Sequence, residues 1–192
     1  MTSRPRSWRA TPTINNVEKR YSITFTYNDT AYILSEQGDV DGALEFYRKT
    51  YAIRKALAEA DPENVRLRAG IAYCLQSIGQ NLVFKGQFDE ALKAYGESLA
   101  AYESLAQLEE NKSGLTEVAA MQARIGDTHM RAAAQARSAA VRRDRCGQSL
   151  DWSRRALQTL KLKGDADQVS ESSTSADEIR KTMGACERLL GG

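Results

Sequence analysis

Residues 86–106 read GQFDEALKAYGESLAAYESLA, and the rest of the chain is organised around this stretch. Ala91, Leu92, Tyr95, Leu99, Tyr102 and Leu105 recur at helical spacing, so one face is apolar over several turns. Residues 38–58, GDVDGALEFYRKTYAIRKALA, repeat the stretch at an offset of 48 (86 − 38). Gly38 then meets Gly86, Asp41 meets Asp89, Ala43-Leu44 meets Ala91-Leu92, and Tyr47 meets Tyr95. Self-similarity at a period of about 20–50 residues marks a solenoid, in which each unit buries its apolar face only against its neighbours.

Composition agrees with a soluble all-α domain. The 192 residues are 27% charged and 42% hydrophobic, with prolines only at positions 5, 12 and 62. No run approaches the roughly 18 apolar residues of a membrane span. Arg4, Arg6 and Arg9 are followed by no apolar stretch, so no secretory signal is read. Cys74, Cys146 and Cys186 are odd in number and far apart in sequence, which fits a reducing, cytoplasmic compartment rather than a disulfide framework or zinc site.

Taken in order, residues 1–13 read as a disordered basic lead-in or the cut end of a longer chain. The pattern predicts a first helix over residues 14–37, with Val17, Tyr21, Phe25, Tyr27, Ala31 and Leu34 turned inward, although YSITFTY alone would suit a strand. Gly38 is expected to end it in a left-handed cap. Asp61-Pro62-Glu63-Asn64 predicts a helix start with aspartate capping and proline at the first helical position. Ile125-Gly126 echoes Ile78-Gly79 in a third unit. The second helix of that unit, SLDWSRRALQTLKLKG, aligns with ALKAYGESLAAYESLA only if about ten extra residues form a connector around Arg142–Gly147. The expected units are 14–60, 61–110 and 112–163, followed by a polar loop at 164–174 and a capping helix at 175–190 opened by the capping box Ser175–Glu178.

Leu75, Ile78-Gly79, Leu82, Gly86, Ala91, Tyr95 and Ser98 carry a spacing that resembles the tetratricopeptide (TPR) repeat, and Tyr27, Ala31, Leu34, Gly38, Ala43, Tyr47 and Thr50 carry it in the first unit. The period is 48 rather than about 34, and the terminal proline is absent. The extra residues add roughly two turns to each helix at about 3.6 residues per turn, which preserves the phase of the faces. The resemblance implies a right-handed α-solenoid of three extended hairpins with a C-terminal capping helix. It also implies a protein-interaction scaffold that takes a protein or peptide partner. The C-terminal third, from the arginine-rich segment through ADEIRKTMGACERLL, resembles the tail of bacterial eukaryotic-like serine/threonine kinases. That resemblance implies an alternative, a non-catalytic regulatory arm serving a kinase domain in cis or trans. No glycine-rich loop, HRD or DFG motif is present in the chain.

Catalytic, cofactor and metal chemistry find no constellation here, and the chain reads as no enzyme. His129 is the single histidine and falls where Leu34 and Leu82 stand, so packing is its expected role. Cys74 and Cys186 read as inert core residues, whereas Arg142, Arg143 and Arg145 around Cys146 would lower its pKa. From Met130 to Lys163 nine Lys/Arg face two Asp (9 − 2 = +7), and from Lys85 to Ala120 three Lys face seven acids (3 − 7 = −4). The basic stretch could hold nucleic acid, an acidic partner or a phosphorylated segment. Trp152 is its one aromatic, which argues against base stacking and for a solvated face with a docking bias. The first helix of each TPR-like unit is expected to line the concave side. That places Asn28, Asp29, Tyr32 and Ser35, then Gln76, Ser77, Gln80 and Phe84, then Arg124, Asp127 and Arg131 in a partner-binding groove. Amides for an extended backbone, aromatic anchors and two arginines suit a peptide with an acidic end laid toward the third unit.

Overall fold

The computed structural model describes residues 12–108, 114–163 and 175–191. The described residues form α1 (Pro12–Glu36), α2 (Val40–Ala60), α3 (Val65–Phe84), α4 (Phe88–Leu108), α5 (Gly114–Gln135), α6 (Ala139–Lys163) and α7 (Ala176–Gly191). The lead-in expected at 1–13 lies, up to residue 11, outside the described residues, and so does the polar loop of 164–174.

Each helix packs on the next in chain order, and α7 packs on both α6 and α5. Side-chain bonds divide the helices into two layers. Ser35 of α1 donates to Asn81 of α3 (3.0 Å), and Arg124 of α5 donates to Gln80 of α3 (2.8 Å), so the odd-numbered helices stand side by side. Arg145 of α6 pairs with Asp89 of α4 in the even-numbered layer. This is the all-α, TPR-like solenoid that the repeat implies.

The same turn joins the helices of the first two hairpins. Gly38 (φ 82°) and Gly86 (φ 71°) occupy the left-handed region. Asp39 N–H bonds the Leu34 carbonyl and Gln87 N–H bonds the Leu82 carbonyl, both at 2.9 Å, in a Schellman pattern. α1 is helical through YSITFTY because tertiary packing overrides the local β preference. The hydroxyls of Thr24 and Thr30 turn back onto the carbonyls of Tyr21 (2.7 Å) and Thr26 (2.8 Å), so the helix satisfies them.

Three expectations need correction, and one juxtaposition is new. Val17 and Phe25 lie outside the core, 49% and 47% exposed, while Thr24 is buried and accepts from the buried guanidinium of Arg54. Phe25 corresponds at an offset of 48 to Tyr73, which is also exposed, so the position belongs to the outer face of the odd-numbered layer. The third helix starts later than Asp61-Pro62 suggests. Asn64 is its cap and accepts from Leu67 N–H (3.2 Å), while Asp61 ends α2 and accepts from the Asn64 amide (2.9 Å). Arg142–Gly147 is no connector, because it forms the first turns of α6. Finally, Cys146 and Cys186, distant in sequence, lie together in one buried cluster with Ala133.

The extra residues of the third unit are absorbed by lengthening both helices. A Cβ on Gly79 would meet the Tyr95 ring at 2.7 Å, sixteen residues later (95 − 79), whereas a Cβ on Gly126 would meet Ser153 Oγ at 2.9 Å, twenty-seven later (153 − 126). α5 runs nine residues past Gly126 (135 − 126) against five for α3 past Gly79 (84 − 79). α6 begins fourteen before Ser153 (153 − 139) against seven for α4 before Tyr95 (95 − 88). The crossing is preserved and the hairpin tip moves outward. No glycine stands at that tip, and the Arg142 guanidinium donates to the Ala136 carbonyl (3.1 Å) at the end of α5.

The core follows this register. Ala91, Tyr95, Leu99, Tyr102 and Leu105 are all buried, together with Ile78, Leu82, Val118, Met121 and Ile125. Gly79→Ala and Ala91→Leu are each expected to overpack this crossing at a cost of about 1–3 kcal/mol. Ala91→Glu should cost more by burying a charge. Chemical denaturation midpoints that match the wild type in all three variants contradict the register.

Candidate functional site

Tyrosines of the even-numbered helices carry their hydroxyls through to the odd-numbered layer. Tyr102 and Tyr95 donate to the side-chain oxygens of Gln76 (3.5 Å) and Gln80 (3.4 Å) of α3, and Tyr47 lies in the same core. The rings are core residues, and a buried tyrosine hydroxyl requires a partner. Burial pushes the phenols of Tyr47 and Tyr95 up to about 12, so they stay protonated as donors.

The row ends at a cavity of about 540 Å³ lined by α3, α5, α7 and the Tyr95 side chain. Gln80, Arg124, Asp127 and Arg131 line it, together with Glu178, Lys181 and Thr182 of α7. Arg124 is half-buried, its Nη1 held by Gln80 at 2.8 Å, while its Nε is buried without a hydrogen-bond partner among the described residues. Arg131 pairs with Asp127 at 2.6 Å. The arrangement offers one guanidinium held by an amide rather than neutralised by an acid, a geometry suited to an anionic group.

Of the other residues expected in the groove, Gln76 and Ser77 are half-buried, Gln76 accepting from the Tyr102 hydroxyl. Ser35 is tied to Asn81, and Asn28 is half-buried with its Oδ1 unpartnered among the described residues. Asp29 is exposed, as are Tyr32 (57%) and Phe84 (60%). None of these seven lines the cavity.

Residues 26–63 match the tetratricopeptide repeat family model, which spans the second half of α1 and all of α2. The chain carries a TPR-type repeat. No curated protein matches it. The α7 contributors to the cavity carry no local sequence signal, because where a capping helix docks is set by tertiary packing. Tyr95 was read only as core, although its hydroxyl signalled a polar partner.

The basic stretch is partly consumed within the fold. Arg145 pairs with Asp89, Arg142 holds the α5 end, and Arg155 stacks over the Trp152 ring at 4.7 Å. The Cys146 thiol is not acidified by these arginines, because burial pushes it up to about 12. Among the described residues no three His, Cys, Asp or Glu side chains gather as a metal would require, and no helix is long and apolar enough to cross a membrane.

His129 is buried where the repeat places leucine, with Arg145 Nη1 3.5 Å from its Nδ1. Burial, then the Arg145 charge, lowers its pKa from 6.5 to about 4. The unfolded chain therefore takes up the proton first as pH falls, so the contribution is complete above 6.5 and is lost toward 4. His129→Leu should remove that component. Urea midpoints should show the variant gaining on the wild type as pH drops through this window, and parallel profiles contradict the burial of a neutral imidazole.

Proposed function

We propose that the chain is a non-catalytic protein-interaction scaffold whose odd-numbered layer receives a peptide or protein segment with an acidic end toward α5 and α7. TPR-type repeats generally mediate protein–protein interaction, which supports the class of work. The observation that carries the finer reading is Arg124, whose guanidinium faces a cavity with an amide partner and no carboxylate partner among the described residues. Tyr32, Tyr73 and Phe84 supply exposed aromatic surface on the same layer, where anchors of a bound segment would sit. No cofactor, nucleic acid or membrane enters this reading, and a cytoplasmic location is part of it. A second reading, the regulatory arm of a serine/threonine kinase acting in cis or trans, is supported by the sequence resemblance of the C-terminal third.

The test uses a partner recovered by pull-down and identified by mass spectrometry, then titrated against purified variants. Arg124→Ala with Arg131→Ala is expected to weaken binding at least about tenfold, near 1.4 kcal/mol, with the fold intact by circular dichroism. Arg142 has a structural bond at the hairpin tip, so the comparison pair is Arg137→Ala with Arg143→Ala, both exposed. Loss of binding in that pair, with none in the first, overturns the groove assignment.

A further inference from the structure

Behind the cavity wall, α5, α6 and α7 meet at a small buried cluster. Ala133, Cys146 and Cys186 are each fully buried there, with Met130, Leu150 and Leu189 packed around them. The Cys146 thiol donates to the Cys186 carbonyl oxygen at 3.7 Å, and both side chains belong to the same buried cluster. Both are free thiols. Met130 belongs to this cluster and also lines the cavity, while Ile179 and Thr182, from the same helix as Cys186, form the cavity's α7 wall.

We propose that Cys146 and Cys186 form a reversible disulfide that staples α7 to α6, with a low-molecular-weight disulfide such as oxidised glutathione as the oxidant. The pair joins two helices across forty residues of sequence (186 − 146), so the bond closes a long loop and fixes α7 against α6. α7 is lightly anchored, with only Ala176, Ile179 and Cys186 fully buried along its sixteen residues. α5, by contrast, buries ten residues. Local opening is easiest at such an element.

The chemistry follows from that opening. With α7 closed, both thiols are shielded and Cys146 is held protonated, so neither attacks an external disulfide. With α7 open, one cysteine loses its proton and attacks a glutathione sulfur. A mixed disulfide forms and one glutathione leaves as the thiolate. Reclosure brings the second cysteine onto the mixed disulfide; it loses its proton, the Cys146–Cys186 bond forms, and the second glutathione leaves. Two protein thiols are oxidised, one glutathione disulfide is reduced, and the two protons balance the two thiolates released. Cys74 is remote from this cluster, buried against Arg54 between α2 and α3, and has no thiol neighbour. The consequence for partner binding rests on the function proposed above, since the staple fixes one wall of the same cavity; the thiol pairing does not depend on it.

The experiment equilibrates the purified chain with oxidised glutathione in mildly alkaline buffer and follows intact mass, peptide maps and hydrogen exchange. The expected product has lost two hydrogens, yields a crosslinked peptide containing Cys146 and Cys186, and leaves Cys74 free. Exchange in α7 should slow by about tenfold or more and return on reduction with dithiothreitol. Cys146→Ser and Cys186→Ser should each stop at a single mixed disulfide on the remaining partner. Wild-type protein that carries separate glutathione adducts at both positions, or that stays fully reduced even when sub-denaturing urea opens α7, overturns the proposal. These readouts need no partner, so a failed groove and a failed staple are distinguished.

Discussion

The close approach of paired helices at a residue without bulk sets the geometry of the whole chain. At Gly79 the Tyr95 ring lies where a Cβ would stand, and at Gly126 the backbone and hydroxyl of α6 do the same. Ala31 holds the corresponding place in the first hairpin, fully buried in the same core as Tyr47. Interiors pack near crystal density, so a contact this short fixes both spacing and rotation of a helix pair. Once the rotation is fixed at each crossing, the apolar faces of α2, α4 and α6 must point toward the odd-numbered helices.

That rotation also shapes the candidate groove. A tyrosine placed for packing sends its hydroxyl past the core, and it has to end on a polar group of the next layer. Gln76 and Gln80 receive the hydroxyls of Tyr102 and Tyr95. The amides of α3 are thereby committed partly to the fold, and Gln80 is shared between Tyr95 and Arg124. The charge asymmetry of the sequence is resolved in a similar way. Asp89 in the acidic stretch meets Arg145 in the basic one, whereas Arg124 is held by the Gln80 side-chain amide. The recognition chemistry on offer is therefore narrower than nine basic residues between Met130 and Lys163 suggest.

Much of the fold was legible in the sequence because glycine positions and helical periodicity are local signals. Gly38 and Gly86 have positive φ, and Ser175 and Glu178 form their reciprocal capping bonds at 3.2 and 3.0 Å. The offset that aligns SLDWSRRALQTLKLKG with the second unit puts Ser153 opposite Gly126, where the structure has it. The helical character of the insertion had a local signal, since Ala, Arg and Gln are strong helix formers, but the alignment of the repeat gave it no place in a helix. Val17 and Phe25 misled for another reason. Helical spacing shows that a face is apolar, but not which side of the helix its neighbours cover, and Phe25 stands on the outer face that Tyr73 shares. In the site, Gln80, Arg124, Asp127 and Arg131 were reachable from repeat phase, while Glu178, Lys181 and Thr182 depend on where α7 docks, a tertiary fact with no local signal.

The central claim is that one crossing register runs through three hairpins, the third being lengthened at its tip. Hydrogen exchange across residues 136–150 tests it most directly. Slow exchange is expected from about Arg143 onward, continuous with the rest of α6, because each amide there bonds within the helix. Exchange over Arg143–Gln148 as fast as in an unstructured peptide, with protection starting only near Ser149, would show a connector instead and contradict the account.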